Sequence, residues 1–188
     1  MKKEIITIAG TLGSGKSSTA DLVAKRLGFE RFSSGDFMRN IAVKMGISLG
    51  ELNLRGQTNR SIDDQIDNEV KKAGEKNKIV IDSRLAFHFI PESFKVYLDL
   101  PPEIAKERIF NNLKENALRR EGEEGKTVDE IYENIITRRA SEKQRYMELY
   151  KLDHTDKNNF DLVIDTNKNN LEEVVDIIVA SYKNWIKS

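Results

Sequence analysis

Gly10-Thr11-Leu12-Gly13-Ser14-Gly15-Lys16-Ser17 decides how this chain is read. The pattern G-x-x-x-x-G-K-[ST] forms a phosphate-binding loop when a strand leads into it and a helix leads out. Both flanks meet that condition. Lys3 to Ala9 reads as a buried strand. Ser17 to Leu27 reads as a helix with Ala20, Val23, Ala24 and Leu27 on one face, stopped by Gly28. Gly10, Gly13 and Gly15 let the backbone turn tightly and come close to a ligand. The N–H groups so freed make a concave anion nest at a helix N-terminus. Lys16 is then placed to bridge β- and γ-phosphates, and the Ser17 hydroxyl to hold Mg²⁺.

Working outward, strands and helices alternate. Phe29 to Ser33 is a short strand, and Ser34-Gly35-Asp36 turns into a helix with Phe37, Met38, Ile41, Ala42 and Met45 apolar. Gly46 and Gly50 interrupt it, and Leu49, Leu52 and Leu54 suggest one more short helix. Ser61-Ile62-Asp63-Asp64 reads as a capping-box start, with Ile62, Ile66, Val70 and Ala73 at helical spacing behind it. Lys78 to Asp82 is a strand ending in a carboxylate. Phe94 to Leu100 is another, closed by Pro101-Pro102 and followed by a helix carrying Ile104, Ala105, Ile109 and Leu113. Thr127-Val128-Asp129-Glu130 opens a long helix to about Tyr150, Phe160 to Asp165 is the last strand, and Asn170 caps a final helix. Five strands interleaved with helices predict an α/β chain: a parallel sheet covered on both faces. Ligands of such sheets bind beyond the carboxyl ends of the strands. The phosphate loop, Ser34-Gly35-Asp36, Asp82-Ser83-Arg84 and Asp165-Thr166-Asn167 all fall there.

Composition narrows the partners. The 188 residues suffice for one α/β domain. Lys+Arg and Asp+Glu are both 31, so bulk charge gives no attraction to a nucleic-acid polymer or an anionic membrane. The absence of cysteine removes disulfides and thiolate metal sites, and two histidines make no His-rich site. The apolar run before Gly10 is too short for a signal or membrane segment, so a cytoplasmic protein is expected. Lys114 to Lys126 is the most polar stretch and a candidate mobile segment.

The second constellation is a set of arginines. Arg39 lies one turn past Asp36, Arg84 two residues past Asp82, and Arg138, Arg139 and Arg145 on the long helix, with Arg138 and Arg145 seven apart and so near one face. Guanidinium groups grip phosphate through two parallel N–H donors. Phosphoryl transfer asks chiefly for positioning and charge stabilisation. Arg31, Arg119 and Arg120 read as surface charges. Asp82 either binds a metal-bound water or substrate group or merely ends its strand; Asp36 either pairs with an arginine or caps its helix.

These residues carry a family resemblance over nearly the whole chain. The phosphate loop, Ser33 to Arg39, Ile62 to Asp67, Ile81 to Leu85, Arg108-Ile109, Arg138 to Tyr146, Tyr150 to Asp153 and Asp161 to Thr166 together resemble a nucleoside monophosphate kinase. They are most similar to the cytidylate kinases, especially the shorter archaeal-type branch. The resemblance implies the phosphate-loop NTPase fold with sheet order 2-3-1-4-5. It implies transfer from ATP to CMP or dCMP with Mg²⁺, in a monomer that works on small nucleotides. It divides the chain into a core (1–34, 78–112, 155–188), acceptor-binding helices (35–77) and a lid (about 113–154). By the same resemblance ATP is held by Gly10, Thr11, Leu12, Gly13, Ser14, Gly15, Lys16, Ser17 and Ser18, with Arg108 near the adenine. The acceptor would meet Ser34, Asp36, Arg39, Asp63, Asp82 and Arg84. Catalysis falls to Lys16, Arg84, Arg138 and Arg145, and the metal to Ser17 and, through water, Asp82. Where relatives have Gly, this chain has Ser83, and Leu113 to Gly125 is longer and more charged than in the short branch. His88 reads as a packing residue near the pocket and His154 as a surface loop residue. Kinases for AMP, UMP or another small molecule are alternatives. So is a nucleotide-dependent switch, which a GTPase-type Asn-Lys-x-Asp would favour; the chain has none.

Overall fold

The computed structural model describes residues 2–58, 60–115 and 127–188. Strands β1 (Ile5–Gly10), β2 (Glu30–Ser33), β3 (Ile79–Asp82), β4 (Phe94–Asp99) and β5 (Leu162–Asp165) form a sheet of order β2-β3-β1-β4-β5. Every neighbouring pair is parallel, with Ile5 opposite Ile79, Ile6 opposite Phe94 and Leu98 opposite Ile164. The helices are α1 (Lys16–Leu27), α2 (Ser34–Met45), α3 (Leu49–Thr58), α4 (Arg60–Ala73), the short α5 (Ala86–Phe89), α6 (Pro102–Glu115), α7 (Val128–Tyr150) and α8 (Leu171–Trp185). The expected α/β fold and its strand order are therefore present.

Period-two alternation in β1 sorts the core. Ile6 and Ile8 face α1 and α8, where they meet Val23, Val80, Val96, Leu98, Val175 and Ile178 in the largest cluster. Ile5 faces the other side with Ile79 and Ile81, against Val70 of α4 and Ile90. That second face is broken into smaller clusters. Leu100, Ala105, Ile131 and Ile135 lie between α6 and α7, and Ala42, Leu52 and Ile62 pin α2, α3 and α4 together. At 25 cal/mol per Å² of buried apolar surface, large continuous clusters dominate adhesion.

Both capping boxes at Thr127 and Asn170 form reciprocally. α4 already includes Arg60, so Ser61 sits inside its first turn. The last strand begins at Leu162, not Phe160, because the Phe160 ring turns inward against Phe87 (4.5 Å) and Tyr97 (4.9 Å). Residues 116–126, with Arg119, Arg120 and most of the polar stretch, lie outside the described residues. Among the described residues no helix is long and apolar enough to cross a membrane.

Candidate active site

The phosphate loop leaves β1 at Gly10, whose φ of +145 is open to glycine; a Cβ there would stand 2.2 Å from the Leu98 carbonyl oxygen. The Thr11 amide donates to that same oxygen at 3.1 Å, so the loop is riveted to β4. The Thr11 carbonyl in turn accepts from Ser14 Oγ (2.8 Å) and from Lys16 Nζ (2.6 Å). Gly15 caps α1 in the left-handed region, and Lys16, Ser17 and Ser18 fill the first turn. Burial and then the neighbouring Arg84 lower the Lys16 pKa to about 8. An arriving anion would offset the Arg84 repulsion and draw the pKa back up.

At the end of β3, Asp82 is buried. Its Oδ2 accepts from Ser17 Oγ at 2.7 Å and from Ser33 Oγ at 3.3 Å, and faces Arg31 at 3.5 Å. Ser34 Oγ donates to the Asp82 carbonyl at 3.4 Å. A hydroxyl and a carboxylate side by side are the hard oxygen donors that suit Mg²⁺, which binds through one or two protein oxygens plus substrate phosphates. The described residues hold no cluster of three His, Cys, Asp or Glu that would cage a metal without a substrate.

Two cavities flank Arg84. One, of about 550 Å³, is lined by Ser34, Ser83, Asp63 and Asp67 and by Arg138 and Arg145 of α7. The other, of about 400 Å³, is edged by Gly10, Thr11 and Leu12 and by Arg139 and His154. Arg84 and Glu142 line both. Glu142 is only 7% exposed and takes Arg84 Nε at 2.7 Å on one oxygen and Arg138 Nε at 2.9 Å on the other. Burial raises its pKa, but the two guanidinium groups outweigh that and hold it below the carboxylate range. Removing one partner from such a buried group costs about 3–5 kcal/mol. Arg145 lies 3.7 Å from Asp63, beside Gly56, where a Cβ would meet its Nη1 at 3.2 Å. Burial raises the carboxyls of Asp63 and of Asp67, whose Oδ2 accepts from Tyr150 Oη at 2.6 Å.

Lys16, Ser17, Ser34, Asp63, Asp82, Arg84, Arg138 and Arg145 thus converge on one edge of the sheet. Asp36 and Arg39 stand outside the lining of either cavity, and Asp36 is paired with both Arg39 and Arg31. Arg108 bonds the Thr166 carbonyl at 2.6 Å, tying α6 to the loop after β5.

This geometry agrees with the comparisons. The AAA domain family model matches residues 6–132. A cytidylate kinase of Natronomonas pharaonis is 33% identical over 184 residues, covering 95% of this chain and 90% of that one. One from Archaeoglobus fulgidus is 32% identical, covering 94% and 93%. The chain belongs to the cytidylate kinase family. As a member it is an enzyme, a nucleoside monophosphate kinase. A solved shikimate kinase from Bacteroides thetaiotaomicron superposes with a TM-score of 0.63 at 15% identity, covering 93% of this chain and 95% of that one, which speaks for the fold.

Three features of this kinase escape a sequence reading. Glu142 lies four residues after Arg138, a spacing that reads as a surface ion pair. Arg31 is no plain surface charge: it reaches Asp21 (3.2 Å), Asp36 (3.0 Å) and Asp82. His154 is not a surface residue but 7% exposed, edge-on to Tyr146 at 4.9 Å. Only the Glu142 spacing left a signal in the sequence.

Proposed function

We propose that this enzyme transfers the γ-phosphoryl group of ATP to CMP or dCMP, giving ADP and CDP or dCDP. One observation carries the reading: two cavities share the Arg84–Glu142 pair, and the phosphate loop edges only one of them. A donor on the loop side and an acceptor on the Asp63 side would bring their phosphates together at Arg84. An acceptor phosphate oxygen attacks the γ-phosphorus while the bond to the bridging oxygen of ADP breaks. Lys16 leaves the Thr11 carbonyl for the donor's phosphates. Arg84 and Arg138 exchange part of their grip on Glu142 for the acceptor phosphate and the transferring group, and Arg145 adds charge from the α4 side. Ser34 and Asp63 bind the acceptor, joined by Asp36 and Arg39 from the rim, while Arg108 and Thr166 border the adenine. Ser17, with Asp82 through water, would hold Mg²⁺, which supplies neutralisation of the β- and γ-oxygens when bound. Segments 35–77 and about 113–154 serve as acceptor-binding helices and lid over the core formed by 1–34, 78–112 and 155–188.

The test is ADP release measured with CMP, dCMP, UMP and AMP in turn. Cytidine acceptors should be used best; a preference for AMP or UMP would move the acceptor assignment, and acceptor-independent hydrolysis would refute transfer. Ser83 in the acceptor wall makes that panel the deciding one. Lys16→Ala should lower kcat/KM by roughly 10²–10³-fold or more, with the thermal midpoint unchanged.

A further inference from the structure

Most guanidinium groups around the site are already engaged. Arg84 and Arg138 share Glu142, Arg145 faces Asp63, Arg31 and Arg39 hold Asp36, and Arg108 holds Thr166. Arg139 differs. It pairs with no carboxylate among the described residues, and it is solvent-exposed. Yet it lines the cavity edged by Gly10, Thr11 and Leu12. Its position on α7, four residues after Ile135 and three before Glu142, puts all three on the helix face turned to that cavity.

The same cavity contains unmet polar demand. Thr11 Oγ1 and His154 Nδ1 are buried and find no hydrogen-bond partner among the described residues. Both residues are in its lining. Buried polar atoms are nearly always partnered, so their partners are expected from outside the chain. An unpaired guanidinium beside a buried hydroxyl offers N–H and O–H donors to an anion. Recruiting Arg139 breaks no internal ion pair, whereas recruiting Arg84 or Arg138 does.

We propose that Arg139 grips the phosphate chain of the donor nucleotide from outside the loop, with Thr11 Oγ1 as its companion contact. Lys16 and the loop amides then hold the donor from within, and Arg139 closes on it from α7. This rests on the proposed function only in taking a nucleoside triphosphate as donor.

The experiment is calorimetric titration of the full chain with a non-hydrolysable ATP analogue, with ADP and separately with CMP. Arg139→Gln should weaken the analogue about ten- to a hundredfold, the range of a charged hydrogen bond. ADP should suffer less and CMP should stay within about twofold, as no contact is removed on that side. Arg139→Lys should fall between, since it keeps the charge and loses the fork. Thr11→Val should cost a few-fold, about that of a neutral hydrogen bond. Analogue affinity within twofold of wild type in Arg139→Gln would overturn the clamp, as would an equal loss for CMP. If wild type binds the analogue but phosphorylates no cytidine nucleotide, the acceptor reading fails, while this titration, which needs no acceptor turnover, still decides the clamp.

Discussion

The two halves of the molecule are held together by different forces. Behind the sheet, α1 and α8 press on a continuous apolar layer in which Ile6, Ile8, Val23, Val175 and Ile178 are fully buried. In front, α2, α3 and α4 share a small apolar knot around Leu52, while Val43 and Leu54 are left exposed at 78% and 61%. Their contacts with α7 are polar: Arg145 to Asp63 and Tyr150 to Asp67. Hydrocarbon burial is additive and directionless, so it makes a rigid backing. A few polar contacts can be exchanged for contacts to a ligand, so they make a part that can open. The front half holds the cavity lined by Asp63, Arg84 and Arg145, which is where the proposed acceptor would need an opening.

This contrast can be broken in three ways. Ile178→Ala attacks the backing and should cost about 4 kcal/mol, toward the upper end for large-to-small core changes. Urea unfolding would show it as one cooperative loss; a selective opening of α2–α4 would contradict the division. Acid should loosen the wall of the loop-side cavity next, where His154 sits. Burial, and then Arg84 against the opposing pull of Glu142, lowers the His154 pKa to about 4 from 6.5. The unfolded chain therefore binds more protons in that window. The stabilising contribution is complete above about pH 6.5 and is lost as pH falls toward 4, up to about 3 kcal/mol at 1.36 kcal/mol per pKa unit. Asp63 and Asp67, with raised pKa values, pull the other way, and Glu142, with a lowered one, pulls the same way, so the check is the difference between wild type and His154→Phe: wild type should lose more as pH falls from 6.5 to 4, and parallel pH curves would refute it. Leu52→Ala should have the smallest effect, about 2 kcal/mol globally, the low end for its class. It should appear mainly as faster amide exchange in α2–α4, with a higher KM for the nucleoside monophosphate. Uniform exchange across the sheet would mean that the front and back unfold together.

How much of this was legible follows the same line. The phosphate loop is local in sequence: a strand, a glycine turn and a helix with one apolar stripe, read directly from 5 to 27, whereas the order of the five strands follows only from the family resemblance. The Thr127 and Asn170 caps are four-residue patterns and read equally well. Arg31 reaches Asp82 across the β2–β3 pairing, and His154 is covered because the chain after α7 returns beneath the loop; neither is visible to spacing. Asp36 and Arg39, expected to meet the acceptor, pair with each other and line neither cavity.

The buried carboxylate between Arg84 and Arg138 has one more consequence. A pocket meant for a doubly charged guest is usually a store of repulsion until the guest arrives; Glu142 holds both guanidinium groups as a resident counter-anion, so under the proposed reaction substrate entry would become a swap of companions for two cations already held in place. Selectivity then lies in outcompeting a tethered rival, which a weakly charged or misplaced visitor does not do.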